Sequence, residues 1–309
     1  MNATSPAPSI PEIQRLRGNL NRAIVGKDEA ITLVLVALLC DGHALLEDVP
    51  GVGKTLLAKS LATSIGGKFQ RVQCTPDLLP SDITGTNIWN PQSGEFQFLP
   101  GPVFANVLLA DEINRATPRT QSALLEVMEE QQVTVDGVTR LVESPFFTIA
   151  TQNPVEYQGT FPLPEAQMDR FALSFSLGYP TEAEELQMLQ RIGGARSQPL
   201  EACLSLEQLG DLRSRCLGVK VETVVQEYLL ALVRQTREHP EVALGVSPRG
   251  TVALQRTSQA LAFLLGRDFV LPDDIKAIAP HVLTHRIVPS GGRSSKDIVR
   301  ELLETIAVP

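Results

Sequence analysis

Close cysteine pairs, long apolar runs and an excess of basic residues are all missing from this 309-residue sequence. Its four cysteines, Cys40, Cys74, Cys203 and Cys216, are scattered and form no CxxC pair. That excludes the common zinc and disulfide frameworks and leaves them as small core residues. The longest apolar run, Ile31 to Cys40, is far below the roughly 20 residues that span a bilayer. The start, Met1 to Pro11, has Pro6, Pro8 and Pro11 but no basic segment leading into an apolar one, so it reads as a disordered leader rather than a signal peptide. A cytoplasmic chain without membrane insertion is expected. The net charge of −8 gives no general attraction to nucleic acid or an anionic membrane. His281 and His285 have the spacing of two ligands on one helix face, but Val282 stands where a zinc protease needs Glu, which argues against a metal pair.

What is present is an ordinary globular composition, 43% apolar and 20% charged, in a chain long enough for one large domain or two. From residue 44 to 178, β-rich segments alternate with helical patterns, the signature of an α/β domain with a mostly parallel sheet. The expected strands are Ala44–Leu46, Phe69–Gln73, Val107–Ala110, Phe146–Ala150 and Phe171–Ser176. Amphipathic stretches lie between them, such as Lys54–Ile65, closed by Gly66 and Gly67, and Pro118–Gln131, with proline in its first turn. Two insertions read as projecting hairpins: Ile88–Phe98, with Asn-Pro and Ser-Gly turn signals, and Val133–Leu141, with Asp-Gly. After Pro180 only helices are expected: Glu182–Arg191, Leu206–Arg215, Val221–Glu238, Pro248–Leu265, Pro272–Ile278 and Lys296–Ile306. The division is therefore a leader over 1–11, an α/β core over 12–180 and an all-α second domain over 181–309.

A strand, a glycine-rich turn and a helix in that order form an anion site, because turn N–H groups converge where the helix N-terminus adds positive potential. Ala44–Leu46, Asp48–Thr55 (DVPGVGKT) and Lys54–Ile65 supply that order. The phosphate-binding set is Gly51, Val52, Gly53, Lys54, Thr55 and Leu56. Lys54 would reach the β- and γ-phosphates, and the Thr55 hydroxyl would ligate Mg²⁺. The usual pattern is GxxxxGK[ST], and Asp48 replaces its first glycine.

Val107–Ala110 is an apolar strand running into Asp111 and Glu112. At the C-terminal edge of a parallel sheet these carboxylates face the ligand crevice. Asp111 would bind Mg²⁺ and Glu112 would polarise an attacking water; alone, such a pair also suits a solvated turn. Asn153, past the strand ending in Ala150, could orient that water, sense the γ-phosphate, or only end its strand. Ser247-Pro248-Arg249 reads as a helix start, which puts Arg249 where the helix dipole disfavours a cation. An anion should meet it there, either a phosphate or a carboxylate. Arg170, taken alone, looks like an ion-pair arginine.

With these motifs assembled, the sequence resembles the MoxR family of AAA+ ATPases from Ala23 to Ile287. The most specific stretches are IVGKDEAI (Ile24–Ile31), LLEDVPGVGKT (Leu45–Thr55), TPDLLPSDITG (Thr75–Gly85), LLADEINRATPRTQSALLEVMEEQQVTVDG (Leu108–Gly137), ATQNP (Ala150–Pro154), PEAQMDRF (Pro164–Phe171) and SPRG (Ser247–Gly250). The resemblance implies a P-loop AAA+ core with Walker A and Walker B motifs, then a helical lid. It makes Asn153 the sensor-1 residue, Arg249 the sensor-2 arginine and Arg170 an arginine finger, and sets Val25 and Gly26 beside adenine. The hairpins would be the helix-2 insert and the pre-sensor-1 hairpin. An arginine finger implies head-to-tail contacts, which close into rings; a hexamer is the family expectation. Relatives are chaperone-like ATPases that remodel or mature proteins, often beside partners with von Willebrand A domains.

The reading that follows is a Mg²⁺-dependent ATP hydrolase acting on protein clients. A nucleic-acid translocase of the same clade is the first alternative, disfavoured because the two hairpins carry only Arg140 as a cation. An ATP-dependent assembly scaffold with little turnover is the second. The sequence has no NKxD segment, which argues against GTP.

Overall fold

A computed structural model describes residues 10–154, 159–193 and 199–308. Most of the expected leader, residues 1–9, lies outside the described residues. Pro11, assigned to it above, instead opens helix α1 (Pro11–Ala23), because proline's fixed φ is pre-organised for a first helical position. Helix α2 (Asp28–Leu39) holds the apolar run. It is buried almost all round, from Ala30 and Ile31 through Leu33–Leu39, because the sheet lies against one side and later helices against the other. Among the described residues no helix is long and apolar enough to cross a membrane.

Next come β1 (Ala44–Glu47), α3 (Lys54–Ser64), β2 (Phe69–Gln73), α4 (Pro80–Thr84), β3 (Gly85–Asn90), β4 (Glu95–Pro100), β5 (Val107–Asp111), α5 (Pro118–Glu130), β6 (Gln132–Val135), β7 (Val138–Leu141), β8 (Phe147–Gln152), α6 (Glu165–Met168) and β9 (Leu173–Phe175). The five expected core strands are all found, the last shorter than expected. They form one sheet in the order β2-β5-β8-β1-β9, parallel throughout. Parallel neighbours need crossover helices, and those helices cover both faces. Successive side chains alternate: Leu45, Leu108 and Ala110 enter one apolar cluster with α5, while Ala44, Leu46, Leu109 and Phe175 enter the other with α1, α2 and α3. Both insertions are antiparallel hairpins, β3–β4 and β6–β7.

The remainder is α7 (Glu182–Gly193), α8 (Leu206–Leu217), α9 (Thr223–Glu238), β10 (Val242–Leu244), α10 (Pro248–Leu264), α11 (Pro272–Leu283), β11 (Val288–Pro289) and α12 (Ser295–Thr305). The six expected helices are present. The ribbon of β10 and β11 corrects the all-helical expectation; two or three residues are too few to show an alternating pattern. The apolar cluster that includes α1, α2 and α3 runs unbroken from α2 into α8–α12, so the helical half packs directly on the core. Cys40, Cys74 and Cys216 are buried, and burial pushes each thiol up to about 12, as suits inert core residues.

Candidate functional site

The loop between β1 and α3 is shaped by glycine. Gly51 and Gly53 have φ of +88° and +101°, a region L-residues rarely enter, and an added Cβ would meet no atom within 4 Å at either. The space in front of the loop is thus open. Gly53 is the N-cap of α3 and contributes no side-chain acceptor, so the first N–H groups of α3, at Lys54, Thr55 and Leu56, have no side-chain cap. Uncapped donors and helix dipole together make an anion site. Val52 packs partly against the core, Thr55 is half-buried and Leu56 exposed. The buried Lys54 ammonium donates to the carbonyls of Asp48 (3.1 Å) and Val49 (3.4 Å), which keeps the cation across the loop.

The acidic pair lies at the same edge. Asp111 ends β5; its Oδ1 accepts from the Thr151 hydroxyl (2.7 Å) and its Oδ2 from Arg71 (2.6 Å). Glu112 has φ +57°, left-handed for a residue with a side chain, and its N–H is caught by the same Thr151 hydroxyl at 2.9 Å. The Glu112 carboxylate accepts from Gln73 (2.9 Å) and Arg115 (3.1 Å). Asn153 follows β8, between β5 and β1 in the sheet, and Asp48 N–H donates to the neighbouring Gln152 carbonyl (3.1 Å). The loop, Asp111, Glu112 and Asn153 thus share one edge. No group of three or more His, Cys, Asp or Glu among the described residues is arranged to hold a metal ion. Thr55 and Asp111 fit Mg²⁺ nonetheless, since this ion binds through one or two carboxylates plus substrate phosphates.

Gly26, with φ +69°, lies in the α1–α2 loop, and a Cβ there would fall 1.8 Å from the Glu184 carboxylate on α7. It borders a cavity of about 590 Å³ between the sheet edge and α11–α12; Val25 precedes it in the same loop.

Arg170 and Arg249 are elsewhere. Ala172 N–H donates to the His43 carbonyl where β9 and β1 begin, so Arg170 sits at the N-terminal edge of the sheet. With four residues at about 3.3 Å each, β1 separates that edge from its own glycine loop. Arg170 pairs with Glu129 at 3.0 Å and donates to the Leu125 carbonyl at 2.6 Å; Arg249 takes the other Glu129 oxygen. The anion expected at the α10 start is therefore a carboxylate within this chain. Arg170, Arg249, Arg256 and Arg286 line a cavity of about 270 Å³ there. Asp169 binds Arg286 and the Ser247 hydroxyl, both at 2.6 Å, which ties the α10 N-cap to the core.

The two histidines each face a backbone carbonyl. His281 Nδ1 faces the Ser174 carbonyl and His285 Nε2 the Phe171 carbonyl, and burial lowers both below the usual imidazole range. In His285 the adjacent Arg286 adds to the effect.

Sequence reasoning missed Arg71, Gln73, Arg115, Glu129 and Thr151. A weak signal was available in β2, where polar Arg71 and Gln73 share one face; the pairing of Gln73 with Asp111 was not.

Residues 43–173 match the ATPase family associated with various cellular activities (AAA), and residues 234–302 match the AAA lid domain. The chain is 50% identical to the uncharacterized protein YeaC of Bacillus subtilis, over 94% of this chain and 93% of that protein. It is 40% identical to Chaperone MoxR1 of Mycobacterium tuberculosis, over 98% and 84% of the two chains. A crystal structure from Cytophaga hutchinsonii, described as a candidate ATPase, superposes with a TM-score of 0.90 at 37% identity, covering 96% of this chain and 95% of that one.

Proposed function

The chain belongs to the MoxR family of AAA+ ATPases, and from that premise we propose that it is a Mg²⁺-dependent ATP hydrolase whose turnover remodels or matures partner proteins. The observation that carries this reading is the single sheet edge shared by an uncapped helix N-terminus and two carboxylates. Backbone N–H groups from Gly51 to Leu56 bind the phosphates, and Lys54 leaves its carbonyl partners to meet them. Thr55 and Asp111 hold Mg²⁺, which when bound offsets the phosphate charge. Glu112, held by Gln73 and Arg115, orients the attacking water, while Asn153 positions water or γ-phosphate. Val25 and Gly26 border the adenine.

Arg170 and Arg249 occupy the opposite edge from the loop of their own chain, so both serve the nucleotide of a neighbouring copy. Each protomer then carries half of two sites, which calls for head-to-tail contacts closing into a ring, a hexamer by family expectation. Protein clients suit the hairpins better than nucleic acid. Trp89, Phe96, Leu99, Val138 and Leu141 are exposed on them, whereas the cation Arg140 is stacked 3.9 Å above Phe98. A von Willebrand A domain partner rests on family expectation alone.

Steady-state phosphate release tests the proposal. Wild type should exceed both Lys54→Ala and Glu112→Gln, and a wild type no faster than either would leave only a nucleotide-dependent scaffold. A pull-down with Glu112→Gln in ATP should retain the client.

A further inference from the structure

Asp48 stands where the phosphate-loop pattern has glycine, and its side chain touches none of the loop's open face. The residue is 4% exposed. Its Oδ1 accepts from the Ser176 hydroxyl at 2.6 Å and from Gly178 N–H at 3.1 Å, and its Oδ2 accepts from Leu177 N–H. A buried carboxylate needs such donors, and three of them make charge-assisted bonds that no glycine could supply. The backbone pairing of β1 with β9 ends at Leu46 and Phe175. Asp48 continues it by side chain, past the point where the two chains part.

The segment gripped in this way is the connection to the helical half. Gly178, at φ +63°, turns the chain; the Tyr179 carbonyl accepts from Lys27 at 2.9 Å, and α7 follows with Glu184 against Gly26. The Asp48 carbonyl accepts from the Lys54 ammonium, and the Asp48 N–H donates to the end of β8. Glu47 beside it spans both neighbouring strands, accepting from Gln152 at 2.6 Å and Ser174 at 3.0 Å. We propose that Asp48 is a positioning residue that links the phosphate loop to the β9–α7 junction, so that the departure of Lys54 toward a phosphate is transmitted to the lid. This rests on the ATPase reading given above.

Asp48→Gly restores the usual loop pattern, so a view confined to the loop expects an equal or better enzyme. The coupling expects the reverse. In the full-length chain, turnover should fall about tenfold while ATP affinity stays within about threefold. Hydrogen exchange at Leu177 and Gly178 should rise and should lack the ATP response expected of wild type. Asp48→Asn keeps one carbonyl oxygen and should recover part of both signals; it carries the test if the glycine variant does not fold. Wild-type turnover and a wild-type exchange response in either variant would overturn the coupling. So would equal losses of ATP affinity and turnover, which would confine Asp48 to shaping the loop. A wild-type chain that binds no Mg-ATP would sink the ATPase reading and this proposal with it, an outcome distinct from failure of the coupling alone.

Discussion

The two edges of the central sheet differ in what their polar groups have left to give. At the C-terminal edge, among the described residues, the α3 donors have no side-chain cap, and Lys54 donates to carbonyls of its own loop. At the N-terminal edge the cations are already engaged: Arg170 and Arg249 share Glu129, and Arg286 is buried on Asp169. On the proposed reading, one edge receives an anion directly, while the other exchanges an internal anion for an external one. A single chain would then hold two unlike half-sites, neither of which completes the other within one protomer.

The largest expected effect breaks or upholds that division. Arg170→Ala should lower turnover by on the order of 10³-fold with nucleotide affinity nearly unchanged in a filter or fluorescence titration. Mixing it with Lys54→Ala subunits should restore part of the activity, and no recovery at ring-forming concentrations would place the arginine's action elsewhere. Lys54→Ala and Glu112→Gln should each cost about 10²- to 10³-fold in phosphate release, but only the lysine variant should also lose ATP affinity.

Stability separates the edges further. Asp169→Ala strips the buried Arg286 of its carboxylate and should destabilise the fold by about 3 kcal/mol in denaturant titration. Gln73→Ala, which removes one exposed hydrogen bond from Glu112, should change the unfolding midpoint little and act on turnover instead.

The smallest effect is on pH dependence. His43, His281 and His285 are held below the ordinary imidazole range chiefly by burial. Between their folded and unfolded values the unfolded chain binds more protons, so stability is full above the unfolded value and is lost as pH falls toward the folded ones. Melting temperature should decline from about pH 7.5 to about pH 5.5, and His285→Gln should flatten part of that slope.

Much of this was legible in local sequence because the signals are local. Gly51, Gly53 and Lys54 announce a turn into a helix, and Val107–Ala110 followed by Asp111 and Glu112 announces a strand that ends in acid. Both hairpins followed from their turn residues. The short β10–β11 ribbon did not, since its few residues carry no periodicity and its partners lie far apart in sequence.

By itself the sequence determined the parallel α/β core, the helical half, the anion-binding turn and the acidic strand end. Each depends on residues within one element or its flanks. Only the tertiary structure decided that Gln73 holds Glu112, that Thr151 serves both Asp111 and Glu112, and that Arg170 and Arg249 converge on Glu129 at the far edge. It also decided that Asp48, a flaw in the pattern, spends its carboxylate on the β9–α7 junction. Those contacts depend on which strands become neighbours, and strand order is set by packing across the whole sheet, which no short stretch of residues encodes.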